Sequence, residues 1–121
     1  MRRGLLFAMA LVCASTAWSA GGTGSTALPW KHPGETLVYR SCGCADACWV
    51  AEVRDRRTSA VKARLRCDCE VLHFERPAEA APPVTLGSCE TLNRSDRKAD
   101  AIGAALDALL HAKPRAGDAV E

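Results

Sequence analysis

The sequence predicts an α+β fold: a small antiparallel sheet, with a hairpin at about residues 48–74 and flanking short strands, carrying one C-terminal amphipathic helix and stapled by disulfides. Three observations lead there. Trp49, Ala51 and Val53 alternate with Val50, Glu52 and Arg54, and Val61, Ala63, Leu65, Cys67, Cys69 and Val71 with Lys62, Arg64, Arg66, Asp68 and Glu70, the two-residue period of strands with one wet face. Asp96 to Ala112 places Ala99, Ile102, Leu106, Leu109 and Leu110 three and four residues apart, the period of a helix with one apolar side. Seven cysteines fall in only 121 residues, and all but Cys13 lie between Cys42 and Cys89.

In chain order, residues 1–20 read as an export signal. Arg2 and Arg3 supply the cationic start, Leu5 to Val12 an apolar run too short to span a bilayer, and Ser15 to Ala20 a small-residue processing zone. The cut can fall after Ala17, Ser19 or Ala20, of which Ala20 is adopted; Cys13 offers an alternative site for a lipid anchor, but Val12 is bulky where a lipobox wants a small residue. Residues 21–34, rich in Gly, Ser and Thr, read as a flexible lead-in whose Trp30 tucks onto the domain edge. The domain proper is expected over 35–113, with 114–121 fraying beyond Pro114.

Thr36 to Cys42 is a β-prone run between Pro33-Gly34 and Gly43. A loop at Arg57-Thr58-Ser59 then sets Val53 opposite Ala63 and Ala51 opposite Leu65 on the buried face, with Glu52 facing Arg64 on the wet one. A one-residue slip would bring Lys62 opposite Val53. Pro77 to Pro83 cannot continue a central strand, and Val84 to Cys89 returns as a short edge strand. Asn93 or Ser95 caps the helix, which Pro114 stops.

An even set of six cysteines, Cys42, Cys44, Cys48, Cys67, Cys69 and Cys89, in a small exported domain implies disulfides. Residues two apart on a strand lie nearly 7 Å apart along the chain, at the limit of disulfide reach, so each Cys-x-Cys pair must find partners elsewhere. The economical arrangement bonds the two pairs to each other, Cys42 with Cys69 and Cys44 with Cys67 or the parallel alternative, and leaves Cys48 for Cys89. The competing chemistry is Cu(I) or Zn(II) handling, or thiol redox, by the Cys-x-Cys pairs with His73. Neither spacing is that of the common zinc modules, and no helix starts behind Cys44 to lower a thiol pKa. No cofactor or metal is assigned.

Catalytic candidates are sparse. His32, His73 and His111 fall in the lead-in, at a strand end and at the helix end, without sequence neighbours that suggest a relay, and no phosphate-cradling glycine motif occurs. Charge is more informative. Without residues 1–20 the chain carries 14 basic and 14 acidic residues, yet it is +4 from Gly21 to Arg66 and −4 beyond. Arg54, Arg56, Arg57, Lys62, Arg64 and Arg66 crowd one hairpin, a candidate docking patch for a protein with an acidic surface. Nucleic acid is not an expected partner, because the basic run lacks interleaved aromatic residues. The expectation is an exported, non-enzymatic binding module of the inhibitor or immunity type, which works by occluding a partner's cleft.

Overall fold

The computed structural model describes residues 24–111; the segment 1–20 read as an export signal, with Cys13, and the tail expected at 114–121 lie outside the described residues. Six strands pair in chain order as a meander: β1 (Thr26–Leu28), β2 (Glu35–Gly43), β3 (Cys48–Asp55), β4 (Val61–Asp68), β5 (Val71–Glu75) and β6 (Val84–Ser88). Every pairing is antiparallel. A short helix α1 (Glu90–Asn93) leads into α2 (Lys98–His111), whose Ile102 and Leu106 pack into the apolar face of the sheet. The α+β class, the antiparallel sheet and the C-terminal helix are those the periodicity predicts.

The central hairpin has the predicted register, Val53 opposite Ala63, Ala51 opposite Leu65 and Glu52 opposite Arg64. Sidedness enforces it: Trp49, Ala51, Val53, Ala63, Leu65 and Cys67 are all buried, and any one-residue slip would bring charged side chains into their place. A bulge past Val53 then pairs Arg54 with Val61 and leaves Lys62 as the extra residue. Leu37 of β2 and Leu72 and Phe74 of β5 extend the same face, and Ile102 and Leu106 close it.

The alternation over 61–71 predicts one strand, but the chain turns after Asp68. The Asp68 carboxylate accepts the Val71 amide at 2.9 Å and Cys69 takes a φ of 81°, so the buried row resumes at Leu72 and Phe74 and leaves Cys69 and Val71 out of it. The segment expected as a flexible lead-in contributes β1, which pairs Thr26 with Tyr39 and Leu28 with Leu37. Its polar composition is tolerable because an edge strand is held by backbone pairing and only Leu28 and then Trp30 reach the core. Ser95, one of the two predicted caps, accepts the Arg97 amide ahead of α2, whereas Asn93 accepts the buried Trp49 indole N–H at 2.7 Å. Among the described residues no helix is long and apolar enough to cross a membrane.

The three disulfides join Cys42 to Cys48, Cys44 to Cys69 and Cys67 to Cys89, with Cα separations of 4.9, 5.9 and 6.1 Å. The predicted Cys48–Cys89 bridge is overturned, and of the links between Cys-x-Cys pairs only Cys44–Cys69, from the parallel alternative, forms. Cys48 lies opposite Gly43 across β2 and β3, next to Cys42. Cys67 is on the buried face, where Cys89 is buried too, so the side of the sheet decides this pairing.

Removal of a side chain at the sheet–helix interface should therefore cost far more than removal at the open edge. Leu106→Ala is expected to lower the unfolding free energy in urea by about 2–5 kcal/mol. Leu86→Ser, on the exposed edge strand β6, should stay within about 0.5 kcal/mol of the parent. Equal losses would contradict the placement of the core.

Candidate functional site

The β3–β4 turn is built around Asp55. Its amide donates to the Ala60 carbonyl, its carbonyl accepts the Ser59 amide at 2.8 Å, and its carboxylate Oδ1 accepts the Arg57 and Thr58 amides at 2.9 Å each. Those two backbone N–H groups hold the Asp55 carboxyl below its ordinary pKa, Thr58 foremost. Ser59 completes the turn in the left-handed region at a φ of 64°, and the Arg56 amide donates to the Gly34 carbonyl at 2.9 Å. The loop is thus fixed by its own hydrogen bonds, and Arg56 and Arg57 project from it exposed.

The six cations predicted as one patch divide into three groups. On the open face of the sheet, Arg54 and Arg64 grip the two oxygens of Glu52 at 2.5 and 2.8 Å, and Arg64 continues to Glu75 at 3.1 Å, with Arg66 at 4.0 Å. Burial acts to raise the Glu52 pKa, but the hydrogen bonds and charges of Arg54 and Arg64 outweigh it and leave the carboxyl below its ordinary value. Lys62, displaced by the bulge, turns to the buried Glu35. Of the six, only Arg56 and Arg57 make no side-chain ion pair to another described residue.

The cysteines occupy the opposite end of the hairpin. Gly43, Cys44, Ala45 and Asp46 all have positive φ, and Cys42, Cys48, Cys44 and Cys69 close around them. Tyr39 Oη donates to Asp46, and Lys98 donates to the Asp46 carbonyl and carboxylate, so α2 clamps this loop. Burial and the bond to Asp46 push the Tyr39 phenol far above its usual range, while the same bond depresses Asp46. The six cysteines among the described residues are all paired, so none of them is free as a thiolate ligand. His73, considered with them in the sequence, instead meets Asp68 at 2.9 Å.

A third cluster was illegible in the sequence. Glu35, at the start of β2, has a side chain only 6% exposed, and its Oε1 accepts the Trp30 indole N–H at 3.1 Å and lies 3.2 Å from His111 Nε2. Lys62 holds Oε2. His32 Nε2 sits 2.6 Å from Asp107 Oδ1, Lys31 holds Asp107 Oδ2 at 2.9 Å, and the His32 and His111 rings are 4.0 Å apart. Burial of Glu35 favours its neutral form, yet its donors Lys62, Trp30 and His111 together keep its pKa below the ordinary carboxylate value. His32 and Asp107 are 75 residues apart, and Glu35 and His111 are 76, so no local pattern announced the cluster.

No family model, curated protein or solved structure matches this chain.

The Glu52 network yields a pH signature. A carboxyl whose folded pKa lies below its unfolded value of about 4.3 contributes stability that is present above that value and lost as pH falls through the folded pKa. Glu52→Gln is therefore expected to be less stable than the parent near pH 7 and to converge on it near pH 2, measured by urea unfolding. Curves that stay parallel across this range would mean that the Arg54–Glu52–Arg64 cluster adds nothing.

Proposed function

We propose that the protein is an exported, non-enzymatic binding module of the inhibitor or immunity type, which docks on an acidic protein surface through the hairpin tip at Arg56 and Arg57. One observation carries this reading: of the six hairpin cations, these two have no carboxylate partner among the described residues and stand on a turn whose backbone is already fixed. Charge displayed in this way steers encounter with an acidic partner, and a preformed loop loses little freedom on binding. Three disulfides suit an oxidising compartment, in keeping with the export signal read at residues 1–20. Arg54, Arg64 and Arg66 support the sheet through Glu52 and Glu75 and would serve the contact only indirectly.

The test is affinity capture from envelope extract with the parent and with Arg56→Glu/Arg57→Glu, captured proteins being identified by mass spectrometry. The parent is expected to retain a partner whose capture weakens with added salt. The double variant should keep the parent's melting temperature, since neither side chain is packed, and lose at least about tenfold of the captured material. Equal capture by the two proteins would remove the hairpin tip as the docking site.

A further inference from the structure

We propose that His32, Glu35 and His111 form a binding site for a borderline divalent transition-metal ion, with Zn(II) as its representative and Asp107 as an adjoining carboxylate. The site is independent of the docking face and of the cysteines. One ligand atom from each of His32, Glu35 and His111 lies within 4.8 Å of the others. Tetrahedral zinc, with bonds of about 2.0–2.1 Å, needs its donor atoms about 3.3 Å apart. The closure required is small, and the two rings can supply it by side-chain rotation, since His111 is exposed at the end of α2 and His32 is half-buried in the segment between β1 and β2.

The arrangement of charges is what makes this more than proximity. Each carboxylate has one oxygen held by a lysine and the other beside an imidazole nitrogen: Glu35 between Lys62 and His111, Asp107 between Lys31 and His32. The lysines fix the carboxylates in place, and the Trp30 indole N–H fixes Glu35 further. A metal ion bound in the ring planes by the two Nε2 atoms would take the place now filled by the hydrogen of each imidazole–carboxylate contact, next to oxygens already held by the lysines. Two imidazoles with carboxylate oxygens select zinc, cobalt, nickel or copper over calcium or magnesium, which prefer all-oxygen sets. The six described cysteines are all bonded in pairs, so among the described residues this site competes with no thiolate. An occupied site would join the segment before β2 to the last turn of α2, two parts of the chain that meet nowhere in sequence.

The experiment is calorimetric titration of tag-free, oxidised, metal-free protein with zinc chloride, with cobalt(II) absorption as a geometric reporter. One equivalent is expected to bind, with the visible bands of a tetrahedral or five-coordinate cobalt site and a higher melting temperature in the presence of metal. His32→Ala and His111→Ala should each weaken binding at least tenfold, whereas His73→Ala, on the open face, should leave it unchanged. Nuclear magnetic resonance of the parent protein supplies a reading that needs no variant: the His32 and His111 ring signals should move with zinc while that of His73 stays. Absence of a stoichiometric uptake, binding that survives loss of both His32 and His111, or shifts centred on His73 would overturn the site.

Discussion

The Cys67–Cys89 bond carries the core of the sheet into the helical part of the chain. Every residue of β6 is exposed, so the strand that precedes Cys89 offers no buried side chain to direct the path of the backbone beyond it. Cys89 itself is fully buried, bonded to a cysteine on the inner face of β4, and α1 begins at the next residue. Asn93 then joins the same point, accepting the Trp49 indole and approaching Cys67 Sγ at 3.6 Å. From there α2 is delivered across Leu37 and Leu65, and Arg76 holds its far end by donating to the Leu109 carbonyl at 2.9 Å. On loop-closure entropy, links across 22 and 25 residues each remove about 3.5 kcal/mol of unfolded-chain freedom and the six-residue link about 2 kcal/mol, less where the loops overlap.

The molecule thus has two unlike ends. At one, sulfur bonds hold a loop of consecutive left-handed residues, a conformation that Cys44, Ala45 and Asp46 would rarely keep without support. At the other, the Asp55 turn and the Glu35 cluster hold the backbone with hydrogen bonds and ion pairs alone. Covalent closure is confined to the first end, which leaves the second free to present charged and metal-binding groups. A small domain with few aromatic side chains gains rigidity at modest size in this way.

The fold was legible where burial imposes a period. Alternation at Trp49 to Val53 and Val61 to Cys67 fixed both strands and their register, and three- and four-residue spacings located α2. Local features that override the period were harder to read: the Asp68 turn cuts a strand that alternation would continue, and β1 forms from a polar segment because edge pairing asks little of side chains. Economy of pairing misleads about the disulfides because sidedness outweighs it, and the hairpin register already places Cys48 and Cys67 on opposite faces. The candidate patch was legible as a charge run but not in its division, since which arginines find Glu52 and Glu75 depends on cross-strand register. The Glu35 cluster left no trace in the sequence, because its members meet only when the helix end folds back over the start of β2.

The bond pattern is the point on which the structure stands or falls. Proteolysis of the native protein under non-reducing conditions, with thiols blocked beforehand and fragments assigned by mass spectrometry, reads it directly. The predicted result is six protected cysteines and crosslinked fragments joining Cys42 to Cys48, Cys44 to Cys69 and Cys67 to Cys89. A free Cys67 or Cys89, or a fragment joining Cys48 to Cys89, would contradict it.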